Sequence, residues 1–123
     1  MKWVTWKTQI EDNAYGIQRG WGNGYVIIPK SHPFYEKSYD ELNDIIDVHG
    51  GLTYSSYVNI RSKKIYVPEL TNEDLGCWMI GFDTAHWNDT LHSCPKEYVI
   101  LETLNLKMQV LTQCKPGRYK FLE

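Results

Sequence analysis

Two short segments of this 123-residue chain concentrate the residue types that can carry chemistry. In the first, residues 47–53 (DVHGGLT), the imidazole of His49 directly precedes the glycine pair Gly50 and Gly51. Glycines permit a sharp turn and let a ligand approach backbone N–H groups. The same three residues also occur in ordinary turns, so this segment alone favours a functional site only weakly.

The second segment follows an apolar stretch, residues 77–82, and places Asp83, His86, Asn88 and Asp89 within seven positions. Functional sites are commonly built where a buried strand ends in a polar loop. Asp83 and His86 could ligate a metal, form a carboxylate–imidazole pair, or hold a ribose and a phosphate. The alternative is a loop in which Asp and Asn cap turns and the histidine is solvated.

Together the two segments predict a site that binds a small molecule. Planar ligands stack on aromatic rings, which adds nearby aromatic residues to the polar ones. The predicted ligand-binding set is His49, Gly50, Gly51, Thr53, Phe82, Asp83, His86, Trp87, Asp89 and Trp21. Since the sequence has no glycine-rich phosphate loop, GxSxG or HExxH, this interpretation assigns no catalytic residue, no metal and no cofactor.

The elements that must position these residues follow from hydrophobic periodicity. Strands are predicted at residues 3–9, 25–28, 52–58, 64–67 and 77–82, with residues 20–24 as a turn and 52–58 and 64–67 as an antiparallel hairpin. A helix is predicted from near Pro95, capped by Ser93 or Cys94, to Gln113. Its apolar residues recur at helical spacing: Leu101, Leu104, Met108 and Leu111. The sequence therefore predicts one domain, residues 1–123, of the α+β class, with an antiparallel sheet packed by one long C-terminal helix.

Topology predicts that the two segments meet. If strands 52–58 and 77–82 are antiparallel neighbours, the start of one lies beside the end of the other, which places His49 and Asp83 at one sheet edge. A polar row that includes Glu102 and Gln109 is expected to face solvent, as such rows usually do. Should the helix close over the sheet, those two side chains could reach the site.

Charge and composition exclude several classes of protein. The net charge is -2 and the pI is near 6.1, whereas non-specific DNA binding needs a basic surface, so no DNA partner is expected. Three cysteines without CxxC spacing favour reduced thiols over a zinc site or disulfides. No apolar signal region or membrane-length run is present, so we expect a cytoplasmic protein without a membrane partner.

The chain resembles a family of small phage and prophage proteins over roughly residues 24–110. The resemblance is carried by three segments: residues 24–33 (GYVIIPKSHP), 48–53 (VHGGLT) and 78–86 (WMIGFDTAH) with the following Asp89. The chain departs from that pattern at Thr84, where cysteine is expected, and in the insertion of Trp87 and Asn88. By analogy with small phage proteins, the resemblance implies a compact homo-oligomer in the cytoplasm of an infected bacterium.

Three functions are open at this point. The first is an anti-defence protein that sequesters a nucleotide-derived immune signal, such as a cyclic ADP-ribose isomer. The second is a phosphodiesterase-like hydrolase in which His49, Asp83, His86 and Asp89 bind one divalent metal that activates water. The third is a protein–protein inhibitor whose aromatic residues form an interface.

Overall fold

Hydrogen-bonded strands, the first of them at residues 3–7, and one long helix that follows the last strand define the architecture. The computed structural model describes residues 1–7, 19–59 and 70–113. Its strands are β1 (Trp3–Lys7), β2 (Gly22–Ile28), β3 (Tyr54–Tyr57) and β4 (Trp78–Phe82), and its helices are α1 (Tyr39–Leu42) and α2 (Lys96–Thr112), with a 3-10 turn at Asn72–Asp74. The four-stranded antiparallel sheet with a C-terminal helix confirms the predicted α+β class.

The sheet has the order β1-β2-β4-β3, and each neighbouring pair is antiparallel. β2 begins at Gly22, so the prediction of a turn over residues 20–24 is wrong for its second half. The cause is close packing with β1, because a Cβ at Gly22 would lie 1.9 Å from the carbonyl oxygen of Trp6. Glycine here lets two backbones approach within a sheet and does not mark a turn.

β3 pairs with β4 in the register Tyr54 with Gly81, and the backbone N–H of Thr53 continues the ladder to the carbonyl of Gly81 at 2.9 Å. The start of β3 therefore lies beside the end of β4, as the spacing of the two segments predicts. The predicted strand at residues 64–67, and with it the predicted hairpin, lies outside the described residues.

α2 packs on β1 and β2 through a face that the apolar periodicity did not predict. Its buried residues are Val99, Thr103, Leu106, Gln109 and Val110. The predicted apolar row points the other way, and Leu101 is 66% exposed. The helix carries apolar residues on two opposite faces, and the sheet takes the face of Val99, Leu106 and Val110. Gln109, expected to face solvent, is fully buried.

The helix begins one or two residues later than predicted, since its cap is Pro95 and not Ser93 or Cys94. The carbonyl of Cys94 instead accepts the backbone N–H of Trp21 at 2.8 Å, which ties the entrance of α2 to the start of β2. α2 ends at Thr112, where Gln113 adopts the left-handed conformation. Among the described residues, neither helix has the length and apolar character that crossing a membrane requires.

The N-terminus is attached to the rest of the fold by an ion pair between Lys2 and Asp74, with Nζ and Oδ2 2.7 Å apart. Burial opposes ionisation of Asp74, but the hydrogen bonds from Lys2 and from the backbone of Thr71 outweigh it and lower the pKa of Asp74 below 3.8. A carboxyl whose pKa is lower in the folded state stabilises the fold above its unfolded pKa. That stabilisation is lost as the pH falls through the folded pKa.

We therefore expect the free energy of unfolding to fall as the pH drops below about 4, partly through Asp74. The variant Asp74→Asn should lower the free energy of unfolding by about 1 kcal/mol at neutral pH. It should also flatten the acid limb of the stability curve, which is the fall of the free energy of unfolding below about pH 4. Urea unfolding between pH 2 and 7 measures both. Glu73→Gln, which removes an exposed neighbouring charge, should leave the limb unchanged. Equal acid limbs in Asp74→Asn and wild type would contradict the expectation.

Candidate functional site

His49 projects from a turn that is fixed on both sides by buried residues. Val48 and Leu52 lie in the core, and the backbone N–H of Gly51 donates to the carbonyl of Val48 at 2.8 Å. Gly50 and Gly51 have φ values of 67° and 81°. Because residues with a Cβ avoid this left-handed region, the glycine pair is what allows the chain to turn directly after His49.

A second turn, residues 83–89, faces the first. Asp89 closes it on itself, since its Oδ2 accepts the backbone N–H of His86 at 2.8 Å and its own N–H donates to the His86 carbonyl at 2.9 Å. Asp83 accepts the backbone N–H of Ala85 at 3.0 Å. These short-range bonds hold the side chains of Asp83, His86 and Asp89 within one turn.

The carboxylate of Asp89 joins the two turns by contacting both histidines. Oδ1 lies 2.7 Å from His49 Nε2, and Oδ2 lies 2.8 Å from His86 Nδ1. The two imidazole rings meet edge to face, with centroids 5.4 Å apart. Because an ionised carboxylate only accepts hydrogen bonds, each of these ring nitrogens donates. We refer to His49, His86 and Asp89 as the His–Asp–His cluster.

The carboxylate of the cluster is buried and ionised. Asp89 is only 4% exposed, and burial opposes its charge. The hydrogen bonds from the backbone and ring of His86, and from the ring of His49, outweigh the burial and hold the pKa of Asp89 below its ordinary value of 3.8. The Asp89 carboxylate is therefore ionised near neutral pH and is held by donors from His49 and His86, with the Cys94 thiol at the longer distance of 3.6 Å from Oδ1.

α2 supplies the groups behind His49. The hydroxyl of Tyr98 lies 2.8 Å from His49 Nδ1, and Glu102 Oε2 accepts the backbone N–H of His49 at 2.7 Å. Burial, followed by the charges of Glu102, Cys94 and Asp89, raises the pKa of Tyr98 to about 12. Tyr98 is thus a neutral phenol that can donate to Nδ1 while Nε2–H donates to Asp89. The orientation of the His49 ring is fixed from both sides.

Two turns after Glu102 along α2, Gln109 holds the start of the loop that carries His49, residues 47–51, which we call the His49 loop. Its Oε1 accepts the backbone N–H of Asp47 at 2.8 Å, and its Nε2 donates to the Asp47 carbonyl at 2.8 Å. Gln109 and Glu102 therefore replace the backbone partners that a strand or helix would give residues 47–49. Glu102 and Gln109 belong to the polar row that was expected to face solvent. Because α2 closes over the sheet, both side chains reach the predicted site instead.

A buried thiol completes the surroundings of the cluster. Cys94 Sγ lies 3.6 Å from Asp89 Oδ1 and 3.8 Å from His49 Nε2. Burial and the neighbouring charge of Asp89 raise the pKa of Cys94 above its ordinary value, although the hydrogen bond from Ser93 acts in the opposite direction. Cys94 is therefore a neutral thiol near neutral pH, and a thiol is a poor nucleophile compared with a thiolate.

Most of the predicted polar residues meet at this place. His86 Nδ1 lies 3.6 Å from Asp83 Oδ1, and the hydroxyl of Thr53 donates to Asp83 Oδ2 at 2.9 Å. The backbone of Gly50 packs against the His86 ring so closely that a Cβ there would lie 2.4 Å from Nε2. His49 and Asp83 have no direct bond, and His86 connects them.

The predicted aromatic residues are placed in three different ways. Trp87 is 95% exposed, directly beside His86 in the chain. Phe82 is 1% exposed within the core under α2, so its ring cannot stack on a ligand in this structure. Trp21 packs against the same core, and Lys96 Nζ lies 5.7 Å above its ring. Of the three, Trp87 alone has a largely solvent-exposed ring, and it directly follows His86 in the chain.

Two contributors, Tyr98 and Cys94, were missed by the sequence prediction. Tyr98 precedes Glu102 by four positions and Gln109 by eleven, so extending the polar helix row by one turn would have included it. Nothing in the sequence connects Cys94 to a histidine 45 positions away. In comparisons with known proteins, no family model, no curated protein and no solved structure matches this chain, so the chemistry of the cluster carries what can be proposed about function.

Proposed function

We propose that this chain binds a nucleotide-derived small molecule, such as a cyclic ADP-ribose isomer, at the His–Asp–His cluster and so removes it from solution. The observation that carries the proposal is the exposure of Trp87, an indole that is 95% exposed and directly follows His86 in the chain. An exposed indole is a good stacking surface for a purine. In the resembling phage proteins, such a role would act against bacterial immunity.

The polar groups around the cluster suit the rest of a nucleotide. Asp83 is half-buried and already accepts a hydroxyl, that of Thr53, at 2.9 Å. A ribose hydroxyl could donate to the same carboxylate, while the base stacks on Trp87. Three carboxylates lie around the site, those of Asp83, Asp89 and Glu102, and phosphate groups would need a cation to bind there.

The experiment is titration calorimetry of the purified protein with cyclic ADP-ribose isomers and cyclic dinucleotides. Trp87→Ala should weaken binding about tenfold, because stacking of one base contributes roughly 1–3 kcal/mol. Trp87→Phe keeps a ring and should lose less. Leu91→Ala, which shortens another exposed apolar residue, is the matched control. Absence of heat with every candidate nucleotide would remove the proposal, as would equal affinities in Trp87→Ala and wild type.

Hydrolysis of the bound molecule is the second candidate, and one observation favours it. Asp89 fixes His86 through Nδ1, and no hydrogen bond in the described part of the chain reaches His86 Nε2. A carboxylate that orients an imidazole in this way is the arrangement of a general base. Recovery of the ligand from denatured protein separates the candidates: an intact nucleotide indicates sequestration, and a hydrolysed one indicates turnover.

The third sequence-based hypothesis, a protein–protein inhibitor, and the expected homo-oligomer stay predictions. The exposed row of α2 that includes Leu101 and Met108 is a surface on which either could form. Sedimentation of the purified chain measures the oligomeric state directly. The ligand titration above does not depend on its outcome, because the His–Asp–His cluster is built within one chain.

A further inference from the structure

We propose that His49, His86 and Asp89 together bind one divalent transition-metal ion, with zinc as the ion that suits the donors best. One ring nitrogen from each histidine and one carboxylate oxygen of Asp89 all lie within 4.8 Å of one another. Two imidazoles and a carboxylate are the donor types that zinc and its neighbours in the first transition row prefer. Mg²⁺ and Ca²⁺ prefer oxygen ligands alone, so the set selects against them.

The spacing of the three ligands is close to that of an occupied site. With metal–ligand bonds of about 2.1 Å, the ligand atoms of a tetrahedral zinc lie about 3.4 Å apart. Asp89 already approaches the two ring nitrogens to 2.7 and 2.8 Å, and the widest separation is below 4.8 Å. Movements of about 1 Å would open the hydrogen-bonded pairs and accommodate the ion.

The charge of Asp89 points to the same conclusion. Within the described residues no lysine or arginine forms an ion pair with this carboxylate, whose ion-pair partners there are the two histidines. A buried carboxylate without a fixed cation is costly, and Asp83 and Glu102 add negative charge nearby. A divalent ion bound at the cluster would neutralise this charge.

A second layer of contacts holds His49 in the way that is usual for a metal-binding histidine. Metal-binding histidines usually have the other ring nitrogen hydrogen-bonded, which fixes the tautomer and the ring plane. The other nitrogen of His49, Nδ1, lies 2.8 Å from the Tyr98 hydroxyl, and Glu102 fixes the His49 backbone at 2.7 Å. If Nε2 binds the ion, the imidazole carries its proton on Nδ1 instead. The hydroxyl oxygen of the neutral Tyr98 can then accept a hydrogen bond from Nδ1–H.

Three protein ligands leave at least one coordination position for another molecule. Structural zinc sites have four protein ligands, whereas three with a free position is the pattern of sites that bind water or substrate. The side chains of His49 and His86 are 21% and 35% exposed, so the cluster is open to solvent on the histidine side. Bound to this ion, a phosphate oxygen of a nucleotide would gain the cation that the surrounding carboxylates make necessary. That last step alone rests on the proposed function; metal binding does not.

The test is titration of chelator-treated protein with Zn²⁺, with calorimetry for affinity and elemental analysis for stoichiometry. We expect one ion per chain, and His86→Ala should weaken binding at least 100-fold. His92→Ala removes an exposed histidine outside the cluster and should bind zinc like wild type. Stoichiometric binding that His86→Ala retains, or that His92→Ala abolishes, would overturn the proposal, as would absence of binding.

Cobalt provides a readout that does not depend on the variants folding. Wild-type protein loaded with Co²⁺ should show the intense visible absorption of a four- or five-coordinate site, and millimolar Mg²⁺ should not displace it. A weak octahedral spectrum, or displacement by Mg²⁺, would contradict the assigned ligand set.

The failure of this proposal can be told from that of the proposed function. Zinc binding without any nucleotide binding would remove the nucleotide ligand and leave the metal site standing. Nucleotide binding that is unchanged in protein shown to bind no zinc would remove the metal site and leave the nucleotide.

Discussion

Replacing Gln109 by leucine is expected to lower the free energy of unfolding by about 2–4 kcal/mol, although leucine is the more apolar residue and the position lies in a helix. Gln109 is fully buried, and its amide pairs with both the backbone N–H and the carbonyl of Asp47. Leucine would leave the Asp47 N–H without its partner and the Asp47 carbonyl with only the longer bond from Asn105 Nδ2, at 3.4 Å. A buried group that loses its hydrogen bond costs about 1–3 kcal/mol. Urea unfolding followed by circular dichroism measures the loss.

The reverse exchange on the other face of the same helix is the matched control. Leu101→Gln places an amide where the side chain is 66% exposed, and its effect should stay within about 0.5 kcal/mol. Gln109→Glu is a finer probe, because it keeps an acceptor for the Asp47 N–H but sets a carboxylate against the Asp47 carbonyl. If Gln109→Leu were as stable as wild type, the amide could not be what holds the His49 loop.

The helix shows where hydrophobic pattern is ambiguous. Its bounds were predicted to within about two residues, as is usual for helix ends, because Pro95 marks its start and a proline and a glycine follow at positions 116 and 117. The apolar pattern, however, fits two opposite rows of the helix. The exposed row contains the larger apolar residues: Leu101, Leu104, Met108 and Leu111. The sheet selected the row of Val99, Leu106 and Val110. Only contacts between distant parts of the chain reveal which row is buried. Gln109, for example, lies beside the buried row and hydrogen-bonds the backbone of Asp47, which is 62 positions away.

The sheet was easier to predict because each strand signal is local. The apolar residues of β4 form one continuous β-prone run, and the glycine pair before β3 marks where that strand starts. Antiparallel pairing then follows from placing the two strands side by side, which brings residue 53 to residue 81. The order of the strands in the sheet and the close approach of β1 to Gly22 were not predicted, because both depend on the paths of distant strands.

The sequence predicted which polar residues lie close together at the site, but not how their side chains contact one another. Motif spacing gave His49, Asp83, His86 and Asp89, all of which lie together. It could not show that Asp89 bridges the histidines, since that contact spans 40 residues. Phe82 was misplaced for a simple reason. Side chains alternate along a strand, so Phe82 lies on the core side with Ile80.

Gly50→Ala is expected to damage the cluster itself as well as the fold. A residue with a Cβ at φ 67° costs about 1–2 kcal/mol from backbone strain alone. The new Cβ would also lie 2.3 Å from His86 Cε1 and 2.4 Å from Nε2, so the imidazole must move. We expect a total loss of about 2–4 kcal/mol in the free energy of unfolding, together with a shifted NMR resonance of the His86 Cε1 proton.

Gly51→Ala separates the two causes. Its φ of 81° is also left-handed, but the atom nearest to its Cβ would be Asn43 Oδ1 at 3.3 Å, and His86 is not among the nearest neighbours. It should therefore carry the backbone cost of about 1–2 kcal/mol and leave the His86 resonance in place. The two variants should also differ in their affinity for Zn²⁺. Gly50→Ala should lose about tenfold or more, because a displaced His86 ring no longer points at Asp89, and Gly51→Ala should bind like wild type. If the His86 resonance were the same in both variants, the glycine pair would serve the turn alone. The lack of a side chain at Gly50, beside Nε2, would then have no part in positioning the histidine.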